Sequence, residues 1–458
     1  MANRKLNYDG IKKILSSKSA RVHFVGVGGV SMYSLARMAL RFGVGVSGSD
    51  RVVSGRTKDL SLRGAKIFIG HDGSNVNGAS LVVYTHAVSE DNSELIAAAN
   101  LGIPVVSRAA LLGALMLEYK CRIGISGTHG KSTTVSMLDG IFAVGLLQPT
   151  TLSGAELQNG EPIRVGRNNH LIYEACEYKD SFLSFSPSVA VALNMELDHT
   201  DYFPDIKAMR KSYIKALSRA EDFALINYDD ENLLEILPNI KCKTVTFGQN
   251  ERADWRYLIT GFLDSGTEIT LYHFGKRELK VRLSLQGVHN AQNAAAAATV
   301  ALMLGVPKEI VCSALESFRG VPRRLELVGT RQGRRVYYDY AHHPTEIAAG
   351  INTLRLSAKD EITVIFKPHT YSRTEALWAD FSAALALADH IVLTDIYPAR
   401  EKPIPGVSSK RLAQDIGDRA VFSSDYDVCS IVDNETAGTI IVMGAGGTEK
   451  IKDYLIGK

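Results

Sequence analysis

The string Gly127-Thr128-His129-Gly130-Lys131-Ser132-Thr133 combines the residue types needed to hold a polyphosphate. Its glycines let main chain approach phosphate oxygens closely, Lys131 carries a mobile positive charge to the outer phosphates, and the Ser132 hydroxyl can ligate Mg²⁺. Residues 121–126 before it form an apolar run of strand length, and Val135, Leu138, Ile141 and Phe142 behind it recur at helical spacing. A strand, a tight turn and a helix start aim backbone N–H groups and the helix dipole at an anion. A strict GxxxxGK[ST] pattern would need glycine at Ile125, so this is a variant with a shorter turn. The plain alternative is a glycine turn with a solvated lysine; the coincidence of strand, turn, Gly-Lys-Ser-Thr and helix weighs against it.

A second turn of this kind lies near the amino terminus. Gly26-Val27-Gly28-Gly29-Val30-Ser31 follows GxGxxG with serine in the third place, and Asp50 lies 22 residues past Gly28, after a further expected strand. Such a turn cradles any pyrophosphate, and its alternative is a merely structural strand-to-helix turn. Taken alone it suggests an NAD(P)-dependent dehydrogenase, a reading that leaves residues 127–133 without a task.

Polar clusters come next. Glu174 and Glu177 end LIYEACEY, while Asn194, Glu196, Asp198 and His199 end VALNMELDH, so both sets are expected at carboxyl ends of neighbouring parallel strands, where ligands of open α/β sheets gather. Glu174 and His199 could hold a divalent ion beside one on Ser132, although Mg²⁺ prefers oxygen; simple capping of strand ends is the alternative. His289, Asn290 and Asn293 precede an Ala-rich helix expected over 291–304, and either cap it or reach a ligand. Asp339-Tyr340-Ala341-His342-His343-Pro344 and the stretch 367–374, which carries His369 and Arg373, each follow an expected strand and fall on loops at one sheet edge. No Cys or HxxxH partner accompanies the paired histidines, so ligand contact is favoured over zinc.

Positioning these loops takes several cores. At 458 residues the chain is about three times the ~150 of a typical domain. Its strand and helix patterns divide into three α/β domains, 1–115, 116–320 and 321–458, with antiparallel hairpins over 257–285 turning at Asp264-Ser265-Gly266 and Gly275. A formal charge of +3 with 45% hydrophobic and 22% charged residues is ordinary for a soluble enzyme and speaks against disorder and against a basic nucleic-acid binder. The amino terminus is charged, and the longest apolar run, 294–306, is shorter than the ~18 residues of a membrane span, so a cytoplasmic protein is expected. Five widely spaced cysteines without CxxC read as reduced thiols.

Taken in order, FVGVGGVSM, SGTHGKSTT, EACEY, NMELDHTDYF, GVHNAQNAAAA, Arg323-Arg324, DYAHHPTE, PHTYSRT and MGAGG resemble the Mur ligase family over essentially the whole chain. The DYxHHPTE loop is the most specific mark of the alanine-adding branch and its close relatives. The resemblance implies an N-terminal Rossmann-like UDP-sugar domain, a central P-loop ATPase-like α/β domain with antiparallel strands, and a C-terminal Rossmann-like domain that closes over the site. It implies ATP-dependent ligation of L-alanine to the lactyl carboxylate of UDP-N-acetylmuramate through an acyl phosphate, with two Mg²⁺. No nucleic acid, no membrane insertion, and a monomer or weak homodimer are expected. A relative that joins a tripeptide to the same sugar is the runner-up and would need a roomier amino-acid pocket.

By the same resemblance, Gly28, Gly29, Ser31 and Met32 would meet the UDP-sugar diphosphate, with Asp50, His86 and Arg108 on the same domain. Residues Gly127 to Thr133 would cradle ATP, Lys131 holding its phosphates; Ser132 would ligate one metal, and Glu174 and His199 match the second-metal positions. His289, Asn290 and Asn293 would lie along ATP and substrate, Arg324 and Asp339 would reach ATP, and Tyr340, His342, His369 and Arg373 would frame the amino acid and muramoyl end. Lys131, His199, Asn293, Arg324 and His342 form the implied catalytic set, with His199 or His342 as the base. The chain reads EACE where many relatives read EADE, so Cys176 replaces an acid close to the metal positions. Lys207, Lys211 and Lys215 lie near the place of a carbamylated lysine in sister ligases, without a decisive motif.

Overall fold

The computed structural model describes residues 6–457 except 264–265, 358–359, 400, 426 and 436–437, so the expected turn at Asp264-Ser265 lies outside the described residues. The chain divides into two compact units: Met1–Gly127 with Thr134–Asn194 and Arg210–Thr246, and Thr128–Thr133 with Met195–Met209 and Phe247–Lys458.

The first unit contains a five-stranded parallel sheet made of β1 (Arg21–Val25), β2 (Gly45–Asp50), β3 (Lys66–Ile69), β4 (Leu81–Tyr84) and β5 (Val105–Ser107), in the order β3-β2-β1-β4-β5. Val22, Phe24 and Val25 are wholly buried, as a strand covered on both faces requires, and helix Val30–Arg41 contributes Met32, Leu35, Met38 and Ala39 to the core. Strand order reverses between β1 and β4. The carboxyl ends of those two strands flank the crevice where such sheets bind ligands, and they lead into the 26–31 turn and His86.

The unit's other sheet region comprises β6 (Cys121–Ser126), β7 (Thr150–Leu152), β8 (Ile163–Arg164), β9 (His170–Glu174), β10 (Val189–Ala192), β11 (Phe223–Asn227) and the start of β12 (Thr244–Gly248), with β6 between β10 and β9. Ile125 pairs with Glu174 and Ser126 with Ala192, both in parallel register, so the strands bearing EACEY and NMELDH flank the one that leads into the 127–133 turn. The strand ends gather as expected, but their strands are not neighbours, since β6 lies between β9 and β10.

In the second unit β13 (Trp255–Leu263), β14 (Gly266–His273) and β15 (Lys276–Leu283) form an antiparallel meander, and β13 also runs parallel to Phe247 and Gly248. Helix Val288–Met303 follows, with Ala294 to Ala298 fully buried. His289, Asn290 and Asn293 do not precede this helix as expected; they form its first two turns, because Gly287 at φ +103° starts it earlier. Residues 289 and 293, and 290 and 293, then share one helical face.

The last sheet has the order β16-β17-β21-β18-β19-β20, built from β16 (Glu326–Arg331), β17 (Arg334–Asp339), β18 (Ile362–Phe366), β19 (His390–Leu393), β20 (Ala420–Phe422) and β21 (Thr439–Met443). All neighbours are parallel except the β16–β17 hairpin. The loops after β17 and β18 therefore leave from one edge, as anticipated. Strands β7, β8, β12, β16 and β20 were not anticipated: β7 and β8 are very short, and β16 and β20 are partly exposed edge strands without an apolar run. No described helix is long and apolar enough to cross a membrane, and Cys121, Cys176, Cys242 and Cys312 are free thiols.

Candidate functional site

The amino-terminal turn is held from below by its own domain. Gly26, at φ +80°, and Val27 both donate their N–H to Ser49 O at 2.9 Å, and Gly28 N–H donates to Asp50 Oδ2 at 2.8 Å. A Cβ on Gly28 would lie 2.8 Å from that same oxygen, which is why glycine is needed there. Gly29 is the N-cap of helix Val30–Arg41 and supplies no side-chain cap to the first turn, where Ser31 and Met32 sit. The Ser49 hydroxyl donates to Glu94 (2.6 Å), a fully buried carboxylate that also meets Asn75 Nδ2 (2.7 Å), His71 Nδ1 (2.8 Å) and His23 Nε2 (3.4 Å). Burial pushes the Glu94 carboxyl up, but His23, Ser49, Asn75 and His71 outweigh it and hold it at about 2.

His86 packs edge-on against the Tyr84 ring; burial, with Lys179 and Arg108 nearby, makes it harder to protonate than usual. Arg108 opens helix Arg108–Leu115 and feels the fields of Cys176 and Glu174, so His86, Arg108, Glu174 and Cys176 gather in one neighbourhood. Glu174 Oε1 accepts from Gly154 N–H (2.6 Å) and from the Ser153 hydroxyl (3.3 Å).

The second turn is held differently. Thr128 Oγ1 accepts from Glu196 N–H (2.9 Å) and donates to Glu196 O (3.1 Å), and Lys131 Nζ donates to Thr128 O (3.2 Å). Gly130 has φ +83°, and a Cβ there would run into Asn293 Oδ1. Ser132 and Thr133 are buried at the head of helix Lys131–Val144. His129 lies between two carboxylates, with Nε2 3.5 Å from Glu196 Oε2 and Nδ1 3.2 Å from Glu346 Oε1. Burial opposes its charge, yet Glu346 and Glu196 raise its pKa to about 9, so it is an imidazolium at neutral pH.

Glu346 stands in the first turn of helix Pro344–Arg355. Its Oε2 accepts His342 N–H at 3.1 Å and lies 3.3 Å from His342 Nδ1, while Oε1 lies 3.4 Å from Arg324 Nη1. Although its largely buried place opposes the charge, His342, His129 and Arg324 hold it well below the usual carboxylate range. Arg323 and Arg324 stack over Tyr340, at 4.7 and 5.3 Å from the ring centre. Asp339 spends both oxygens on backbone donors, Ala341 N–H (2.8 Å) and Leu325 N–H (3.0 Å), and burial raises it to about 6 against the pull of Arg324.

Arg373 Nε and Nη2 both donate to Asp198 Oδ1 (3.0 and 2.8 Å), and Arg373 Nη1 donates to His369 Nδ1 at 3.1 Å. His369 is therefore neutral, and burial together with Arg373 and His342 brings it to about 4. Asp198 is held far below its usual range: burial opposes its charge, but Arg373, His199 and His342 prevail. His199, Arg323, Leu325 and Thr370 all have positive φ, 55°, 65°, 47° and 68°, an accumulation of strained backbone typical of functional sites. Burial also depresses His289 to about 4 and His342 to about 4, the latter despite Glu346.

The second unit thus assembles Thr128, His129, Gly130, Lys131, Asn293, Arg324, Asp339, Tyr340, His342, His369 and Arg373 into linked contacts. The first unit assembles Gly28 with Asp50, and His86 with Arg108 and Glu174. Glu196, His343 and Glu346 are the partners that motif reading left without roles. Their only signal was membership of NMELDH and DYAHHPTE, since their contacts join segments 67 to 217 residues apart. His129, Glu196 and His343 offer ligand atoms within 4.8 Å of one another, a donor set suited to a transition metal more than to Mg²⁺. The proton on His129 already answers the charge of Glu196 there. Ser132 and Glu174 are hard oxygen donors and fit Mg²⁺; His199 fits it less well.

Three family descriptions match successive parts of the chain: "Mur ligase family, catalytic domain" over residues 21–120, "Mur ligase middle domain" over 125–301, and "Mur ligase, glutamate ligase domain" over 323–446. The UDP-N-acetylmuramate–L-alanine ligase of Acetivibrio thermocellus is 40% identical over 451 residues, covering 96% of each chain. Among solved structures, the UDP-N-acetylmuramate-alanine ligase of Thermotoga maritima superposes with a TM-score of 0.79 at 26% identity, covering 96% of this chain and 100% of its own. A murein peptide ligase from Psychrobacter arcticus shares the fold, with a TM-score of 0.72 at 22% identity over 96% of this chain and 98% of its own. With matches tiling the chain from its first sheet to its last, and a relative of this identity along nearly its full length, the chain belongs to the Mur ligase family.

Proposed function

We propose that the chain is an ATP-dependent ligase that joins L-alanine to the lactyl carboxylate of UDP-N-acetylmuramate in the cytoplasm, releasing ADP and phosphate. The observation that carries this reading is the 40% identity across 96% of both chains to a relative whose name states those two substrates. The amino-terminal turn is the proposed diphosphate seat, through Gly28, Gly29, Ser31 and Met32, with Asp50, His86 and Arg108 beside it. The proposed domains are 1–115, 116–320 and 321–458.

The chemistry follows from the charges available. The lactyl carboxylate attacks the γ-phosphate in line, and the amine then displaces phosphate from the acyl phosphate. Lys131 and the N–H groups of the 127–133 turn spread the negative charge that grows in the first step. One Mg²⁺ at Ser132 and a second at Glu174 and His199 would neutralise phosphate charge when bound. Asn290 and Asn293 line the nucleotide, Arg324 and Asp339 approach it from the third sheet, and Tyr340, His342, His369 and Arg373 receive the amino acid. His342 is a poor carrier of positive charge, since burial keeps it neutral near pH 7; its role is to accept a hydrogen bond from the amine.

Phosphate release with ATP, Mg²⁺, UDP-N-acetylmuramate and L-alanine together, and none when any one is omitted, tests the reading. Turnover with a tripeptide in place of alanine, and not with alanine, would move the chain to the peptide-ligating branch.

A further inference from the structure

Glu346 is placed unlike an ordinary residue of a helix start. A carboxylate in the first helical turn is favoured by the dipole and needs only a backbone N–H to complete the cap. Here one oxygen, Oε1, reaches His129 Nδ1 of the nucleotide turn (3.2 Å) and Arg324 Nη1 of the linker (3.4 Å). The other, Oε2, reaches the N–H (3.1 Å) and Nδ1 (3.3 Å) of His342. Three segments, 128–133, 323–325 and 339–343, the first distant in sequence from the other two, converge on one side chain that is 12% exposed.

The second contact helps to fix a tautomer. His342 Nδ1 has two acceptors, Tyr340 O at 3.0 Å and Glu346 Oε2, so in the neutral ring Nδ1 carries the hydrogen and Nε2 presents its lone pair. A lone pair at Nε2 suits an incoming amine. The first contact restrains the turn: His129 is two residues from Lys131, and its ring is gripped on the other side by Glu196.

We propose that Glu346 is a positioning residue that couples the two ends of the reaction, holding the nucleotide turn through His129 and Arg324 and setting the acceptor nitrogen of His342 for the amino acid. The proposal rests on the ligase reading above and adds a role that neither substrate contact nor metal binding requires of this residue. Losing the carboxylate's charge, with size and shape kept, loosens both ends at once.

The test is Glu346→Gln in the full chain, with Glu346→Asp as the conservative variant. For Glu346→Gln, kcat falls roughly tenfold to a hundredfold, as misplacement of reacting groups does. KM rises several-fold for both ATP and L-alanine, while KM for the UDP-sugar stays within about twofold. Glu346→Asp recovers part of the loss. Nitrogen NMR of the His342 ring gives a readout independent of turnover: one tautomer in the parent chain, a mixture in Glu346→Gln. A variant with parent kinetics, a rise in only one of the two KM values, or an unchanged His342 tautomer would overturn the proposal. A parent chain that fails to turn over these substrates sinks the ligase reading instead, and the tautomer measurement still judges Glu346.

Discussion

The turns at 26–31 and 127–133, the two proposed phosphate seats between a strand and a helix, are held by opposite kinds of support. The first rests on its own sheet: Ser49 and Asp50 on the next strand take its N–H groups, and Glu94 anchors Ser49. The second borrows its support from Glu196, Asn293 and Glu346, which lie 60 or more residues further along the chain. A locally supported turn is preformed and binds without rearrangement. A turn braced by a distant loop has its full geometry only while that loop is engaged, and under the proposed function this would link nucleotide handling to the amino-acid side of the site.

Four experiments press on this contrast. The largest effect is expected from Lys131→Ala: ligation drops about 100-fold or more, while UDP-sugar binding measured by calorimetry is retained. Loss of UDP-sugar affinity in that variant would mean the turns are not independent. Next, Glu94→Ala removes the shared partner of His23, Ser49, His71 and Asn75 and costs about 3 kcal/mol in denaturant unfolding, as breaking a buried polar cluster does. A cost near zero would deny that the first turn stands on this network. Third, Gly28→Ala pushes a methyl against Asp50 and raises the UDP-sugar KM about tenfold, about 1.4 kcal/mol, leaving the ATP KM unchanged.

The smallest effect is a pH dependence. His129 has its pKa raised to about 9, so its pairing with Glu196 and Glu346 is complete below about 6.5 and is lost as pH rises through 9. The ATP KM therefore climbs several-fold between pH 8 and 10 by this term, while UDP-sugar affinity shows no matching step. Glu94 has the opposite sense: held at about 2, it contributes stability above about pH 4.5 that is lost as pH falls through 2. An ATP KM flat across the alkaline range would remove His129 from the brace.

Much of this was legible in the residues alone. Strands β4, β6, β18 and β21 match the expected apolar runs, since strands buried on both faces are written as unbroken hydrophobic stretches, and β3 matches too although it is a largely exposed edge strand. Edge strands β16 and β20 were missed because solvent satisfies one side of them and no apolar pattern is required. Helix 288–303 was begun too late, since its first turns carry His289, Asn290 and Asn293, polar residues that break the apolar pattern; Asn293 packs against Gly130 of the 127–133 turn.

The sequence by itself determined which residue types were available for phosphate, metal and amino acid, and at which strand ends they would stand. Local order suffices for that, because a glycine turn or a strand terminus is specified by its immediate neighbours. Tertiary structure alone decided their states: His129 charged, His342 and His369 neutral, Asp339 raised and Glu346 depressed. Protonation depends on burial and on charges a few ångströms away in space, and those charges come from segments that only folding brings together.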